Sequence, residues 1–400
     1  MGILDAPGYS RAQADARYGT KLATLGAALD AQSDVRSMAT AAVMATPPTF
    51  SLSATTTLAG SSLAANNDSR FRFTGAETFT GNVAGKNFTL PAAPTGFGPV
   101  GSTASDYLWR VEFDFDGSDF ELIARCSATA KFRLWVDGQP HAASPVNYSI
   151  TDNTAQFMKV SLGSRAYRKI MFEGEGNWYF GGIQYLPTDT VAPPSSKRGP
   201  RLALVGDSYA VGSQGGNQRG LSYVPKMSRL LGCRDFTMST AAGGTGLIAP
   251  GSYVKYQDRI GDVTRIAPDI IIVQGTLNDG AQTAADIKAA AISYVNAARA
   301  ALPNALIVLV GTLYAATPGA TYTAHAQAIA DAATDRGVPF INPIGWFTGT
   351  GNNVTTKGDG NADYYRASDG AHPSPLGHDY IANRMAGAMR RTLRGDMVVS

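Results

Sequence analysis

Hydrophobic positions recur with three different periods along the chain. Between about residues 49 and 186 they alternate. Trp109, Val111, Phe113 and Phe115 are separated by Arg110, Glu112 and Asp114, and Phe132, Leu134 and Val136 by polar Lys131, Arg133 and Asp137 at the flanking odd positions. A period of two with one apolar face predicts half-buried antiparallel strands. Asp116-Gly117 and Asp137-Gly138 are hairpin turn signals. Short strands with such turns predict a β-sandwich or jelly roll. Trp135, in the outward phase, and the Trp178-Tyr179 pair are either a platform for sugar rings or ordinary core and edge residues.

From residue 201 the pattern changes. Four short apolar runs, Arg201–Gly206, Asp269–Gln274, Ala305–Val310 and Val338–Ile344, read as strands buried on both faces. Between them Ile287, Ala291, Tyr294, Ala298 and Leu302 form a helical stripe that Pro303 closes, and residues 321–336 and 376–393 are helical by pattern. Strand–helix alternation predicts a parallel sheet covered on both faces, with ligands beyond the carboxyl ends of the strands. Residues 187–200, rich in proline and without apolar period, read as a linker. Before the β region, Leu22, Leu25 and Leu29 make one short stripe that Pro47-Pro48 ends. Such a helix is not stable alone. It lies on its own domain or joins copies of itself. The expected organisation is therefore an N-terminal helical segment (1–48), a β domain (49–186), a linker (187–200) and an α/β domain (201–400).

Composition narrows the function. The chain has 400 residues, 34 Lys and Arg against 31 Asp and Glu, and 16% charged residues. A net charge of +3 over that length gives no argument for nucleic acid or an anionic membrane as partner. The low charged fraction suits a polar, uncharged surface of the kind found on secreted and virion proteins. No apolar run is long enough to span a bilayer. The first residues lack the basic and apolar regions of a secretory signal. Two cysteines and four histidines leave no disulfide framework and no Cys- or His-rich metal centre.

The candidate chemistry sits after the strands. The first ends in Gly206-Asp207-Ser208, which presents a hydroxyl at a helix start; the same Asp-Ser pair also reads as a helix cap. The second connection holds Gly243-Gly244, whose backbone N–H groups can approach a ligand or merely give a flexible loop. The third strand leads to Gln274-Gly-Thr-Leu-Asn278-Asp279, where an Asn amide can donate to an oxyanion or form a polar turn. Near the C-terminus stands Asp369-Gly-Ala-His372. Its carboxylate can hold one imidazole nitrogen and leave the other free to take a proton from serine.

In this order and at these strand ends, the four segments resemble the SGNH hydrolases, also called GDSL hydrolases. The resemblance covers about residues 200–395 and implies a flavodoxin-like three-layer fold. It also implies a serine esterase without cofactor. Ser208 would be nucleophile, His372 general base and then acid, and Asp369 the group that orients the imidazole. The oxyanion hole would be the N–H groups of Ser208 and Gly243, or Gly244 in its place, with the side chain of Asn278. His378 is read as structural. The family's third block is usually Gly-x-Asn-Asp, whereas here two residues separate Gly275 from Asn278, which puts the role of Gly275 in question. The run Tyr9–Tyr18 resembles segments near the start of phage tail fibres and tail spikes, which implies a virion anchor and a homotrimer. The combination points to removal of O-acetyl groups from a surface polysaccharide. The alternatives are an esterase or lipase for other acyl esters and a non-catalytic, glycan-binding attachment or structural protein.

Overall fold

The computed structural model describes residues 42–393 apart from residue 75 and segments 84–85, 92–107, 127–129, 148–154, 176–177, 197–198, 214–218, 234–235 and 238–240; for 76–91, 126, 219 and 236–237 it describes the backbone alone. The expected N-terminal helix and the tail-fibre-like run lie outside the described residues.

Strands β1 (Thr49–Ser53), β2 (Ser62–Ala65), β3 (Arg72–Thr74), β4 (Ala76–Val83), β5 (Lys86–Pro91), β6 (Leu108–Cys126), β7 (Lys131–Val136), β8 (Gln139–Pro140), β9 (Val146–Asn147), β10 (Gln156–Glu175), β11 (Trp178–Tyr185) and β12 (Thr190–Ala192) form one large antiparallel sheet. Its main path is β4-β5-β11-β6-β10-β7-β8. Asp137-Gly138 makes the two-residue turn between β7 and β8, both residues at positive φ. Asp116-Gly117 does not end a strand. It lies inside β6, opposite a register shift between Ser161 and Ala166 of β10. The ribbon bends sharply there, because the rings of Phe113 and Phe120 lie 5.5 Å apart. Seven residues of straight strand would separate them by roughly 23 Å. Inward-facing positions accordingly change from odd (Trp109–Phe115) to even (Phe120–Ala124), and both sets enter one core with Phe132, Phe172 and Trp178. The β region is thus one large antiparallel sheet that bends at Asp116-Gly117.

Of the two readings of Trp135, Trp178 and Tyr179, the structure bears out the core one, since all three are buried. Trp135 is covered by the guanidinium groups of Arg133 and Arg229, 5.1 and 5.4 Å from its ring centroid. The proline-rich segment 187–200 is not wholly a linker, because β12 pairs with Asp114–Asp116 of β6.

The second sheet is parallel: β13 (Leu202–Val205), β14 (Phe236–Thr237), β15 (Ile270–Gly275), β16 (Leu306–Thr312) and β17 (Phe340–Ile341), in the order β14-β13-β15-β16-β17. That is the flavodoxin-like order. Its helices are α1 (Ser208–Val211), α2 (Tyr223–Leu231), α3 (Ile260–Ile266), α4 (Ala284–Ala301), α5 (Ala320–Arg336), α6 (Ala362–Tyr365) and α7 (Pro375–Leu393). Side-chain alternation divides each central strand between two cores. Leu202, Leu204, Ile270 and Ile272 pack with α2 and α7, whereas Ala203, Val205, Ile271 and Val273 pack with α3, α4 and α5. Strands covered on both faces need no polar alternation, which explains their continuous apolar runs. No helix among the described residues is long and apolar enough to cross a membrane.

Candidate active site

The geometry begins at the end of β13. Asp207 caps α1, accepting the Tyr209 N–H at 2.9 Å, and Ser208 is the first helical residue. A first-turn N–H has no partner within its helix, which leaves the Ser208 amide to groups outside α1. Gly243 lies beside it: a side chain there would sit 3.8 Å from the Ser208 Cβ. Gly244 is at positive φ, and nothing lies within 4 Å of where its side chain would point. Of the two glycines, Gly243 is the one next to Ser208.

The Asp369–His372 loop arrives from the other side. His372 Nε2 is 2.8 Å from Ser208 Oγ, and His372 Nδ1 is 2.6 Å from Asp369 Oδ2. With Nδ1 protonated, the ring donates to the carboxylate and Nε2 accepts the serine hydroxyl. Asp369 Oδ1 also accepts the N–H groups of Ala371 and His372, at 3.0 and 3.1 Å. Partial burial pushes the Asp369 carboxyl up, but these backbone donors and the His372 ring outweigh it and hold the group below its ordinary value. The Tyr209 hydroxyl braces the loop by donating to Ala371 O and accepting from Ala315 N–H. Its pKa is raised, chiefly by burial, so it remains a donor. The His372 and Asp369 side chains stay 23% and 28% accessible, so the line of three groups opens to solvent.

Asn278 follows β15, in a short 3-10 turn that Thr276 caps. Its Nδ2 donates to Thr245 O at 2.9 Å and lies 3.5 Å from Asp207 Oδ2. Gly275 has a packing role, because a side chain there would meet the Ile329 Cδ1 at 2.6 Å and the β16 backbone. His378 is buried on α7, between Ser213 O and Tyr223 N–H.

Two further carboxylates were not singled out by sequence reasoning. Asp279, buried, accepts the N–H groups of Leu247, Ile248 and Ala249 at 2.9, 3.2 and 2.8 Å, which ties down the loop that begins at Gly243. Asp207, read only as a cap, also accepts from the Gln274 amide and the Thr276 hydroxyl. Burial pushes its carboxyl up against those donors. Among the described residues no group of His, Cys, Asp and Glu is arranged to hold a metal. A surface cavity of about 340 Å³ between Trp346 and the α7 residues Arg384 and Arg391 contains none of these groups.

Residues 204–380 match the GDSL-like Lipase/Acylhydrolase family, so the C-terminal half of the chain carries a domain of that family. No match is found among curated proteins. Solved structures resemble both halves at once. A family two carbohydrate esterase from Cellvibrio japonicus superposes with a TM-score of 0.63 at 15% identity, over 87% of this chain and 100% of its own. A salicylyl-acyltransferase from a tetracycline biosynthetic pathway gives 0.61 at 15%, over 85% and 99%. An acetyl xylan esterase from the rumen bacterium Butyrivibrio proteoclasticus gives 0.53 at 12%, over 81% and 99%. At such identities the likeness is one of fold.

Proposed function

We propose that the protein is a serine esterase that removes O-acetyl groups from a surface polysaccharide. The carrying observation is the hydrogen-bonded line from Ser208 Oγ through His372 to Asp369. Ser208 attacks the ester carbonyl while His372 Nε2 takes its proton. The N–H groups of Ser208 and Gly243 and the Asn278 amide receive the oxyanion. The imidazolium then gives its proton to the leaving alcohol. Water, activated by the same ring, releases the acid. Asp369 keeps Nδ1 protonated and stabilises the imidazolium.

The choice of acyl group rests on the open setting of these side chains, which suits a short acyl group on a bulky polymer better than a long chain in a tunnel. It also rests on the two-domain likeness to carbohydrate esterases. The tail-fibre-like Tyr9–Tyr18 run adds the setting: attachment through residues 1–48, as a trimer. A sedimentation measurement on the full chain and on a chain lacking residues 1–48 tests that part; an unchanged oligomer after deletion removes it.

The direct test uses O-acetylated polysaccharides and mass spectrometry. Loss of acetyl mass with unchanged chain length is expected for the native chain, and no loss for Ser208→Ala. Near-native turnover by Ser208→Ala would end the proposal. Glycan binding without acetate release would favour the attachment reading.

A further inference from the structure

We infer that Thr276 and Asp207 act as a unit that positions Asn278, a task created by the two residues standing between Gly275 and Asn278. Gly275 is fixed in the sheet by its contact with β16, so the chain must travel two residues before the amide can turn back toward Ser208. Thr276 controls that turn. Its Oγ1 accepts the Asn278 N–H at 3.1 Å and donates its own proton to Asp207 Oδ2. The carboxylate is in turn held by the Tyr209 N–H and by Gln274 Nε2, at 2.9 and 3.1 Å. Gln274 is oriented by the hydroxyl of Tyr223, which donates to its Oε1. Asp207, Gln274, Thr276 and Tyr223 are all buried, whereas Asn278 is half-exposed. The polar chain therefore ends at the one amide that can reach a ligand.

The energetic logic is positional. An oxyanion donor works only within a narrow range of distance and direction. Asn278 Nδ2 spends one hydrogen on Thr245 O. The other hydrogen lies on the side of Asp207 Oδ2, at 3.5 Å, too long to be a strong competitor. The amide is thus held by its backbone from one side and by Thr245 from the other, and its second N–H, engaged only by the long contact to Asp207 Oδ2, can pass to a stronger acceptor such as the developing charge. Without the Thr276 hydroxyl the turn loses its cap and the Asp207 oxygen loses a donor, which leaves that oxygen free to draw the Asn278 amide away from the oxyanion.

The inference rests on the esterase reading, and a double-mutant cycle tests it. Thr276→Val keeps the shape and removes the hydroxyl. A fall in kcat of about tenfold or more with little change in KM is expected, and Thr276→Ser should restore it. Asn278→Ala should cost roughly a hundredfold. If Thr276 works through Asn278, the double variant is no slower than Asn278→Ala within a factor of about two. Losses that multiply would overturn the inference. Should Thr276→Val not fold, Thr276→Ala takes its place in the same cycle. A second readout needs no turnover: the side-chain amide NMR signals of Asn278, assigned by their loss in Asn278→Ala, should shift in Thr276→Val and return in Thr276→Ser. Unmoved signals would refute the positioning claim even if no ester substrate were cleaved, whereas absent esterase activity with shifted signals would refute only the reaction.

Discussion

Glu173 offers the sharpest test of how the two halves of the molecule hold together. It lies on β10, fully buried. Its Oε2 accepts from Arg110 Nε and its Oε1 from Arg133 Nε, both at 2.8 Å. Arg229, from α2 of the hydrolase domain, adds its charge nearby. Burial alone would push the Glu173 carboxyl up, but Arg133, Arg110 and Arg229 bring it down to about 2 from an ordinary 4.5. The folded value lies below the unfolded one. The contribution to stability is therefore complete above the ordinary carboxyl range and is lost as pH falls through about 2. Integrated over pH, it is worth about 3 kcal/mol at neutrality. Glu173→Gln keeps the shape, removes the charge and strands Arg110 and Arg133 against a neutral amide. Breaking a buried pair in this way costs about 3–5 kcal/mol, which lowers Tm by on the order of 10 °C. Calorimetry of both proteins from pH 7 to pH 3 is the assay, and the gap between them should narrow on acidification. A loss below about 1 kcal/mol at pH 7, or a gap equal at both ends, would refute the reasoning.

Other perturbations bear on the site. Because Asp369 is held below its ordinary value, it stays ionised as pH drops through the usual carboxyl range; Asp369→Asn should reduce kcat by on the order of 10⁴-fold, and less than a tenfold loss in steady-state kinetics would remove its role. Tyr209→Phe leaves Ala315 N–H and Ala371 O without their shared partner; a stability loss of about 1–3 kcal/mol and a lower kcat are expected, and a denaturant midpoint equal to the native one would contradict this. Asp279→Ala frees three backbone donors of the loop that starts at Gly243; about 3 kcal/mol should be lost in urea melts, together with turnover, and a variant with native kcat would show that this loop does not position Gly243.

The alternation along β6 and β7 was legible because one face of each strand lies in a single apolar core, and period two records that directly. The burial of the other face was not. Arg110, Arg133 and Glu173 look like solvated charges in sequence, yet each is almost wholly covered. Glu173 lies 63 residues from Arg110 and 40 from Arg133, and no local pattern encodes such a meeting. Trp135 could be read as surface or core for the same reason, since Arg229 covers it from another domain. β12 escaped because prolines on either side marked the segment as linker, while an edge strand of three residues needs almost no pattern of its own. In the α/β half, strands buried on both faces announced themselves as apolar runs. The extent of β17 did not: Val338–Ile344 is apolar, but only Phe340–Ile341 pairs with β16.

At the site, the words were legible and the syntax was not. Gly-Asp-Ser, Asn-Asp and Asp-x-x-His are short enough to notice, because each carries its chemistry within two to four residues. What makes them one arrangement is contact across 164 residues, as between Ser208 and His372. Asp207 shows the limit most clearly. A carboxylate that only caps a helix and one that also gathers Gln274, Thr276 and Asn278 have the same local sequence. The difference is burial, and burial is decided by strand β15 and helix α2 rather than by residues beside it. An exposed cap would be exchangeable with Ser or Asn at a cost of a few tenths to about 1 kcal/mol. A buried carboxylate with several converging donors is not, because an amide in its place turns one acceptor into a donor that faces other donors. Asp207 therefore belongs to the turn that carries Asn278 as much as to the start of its helix.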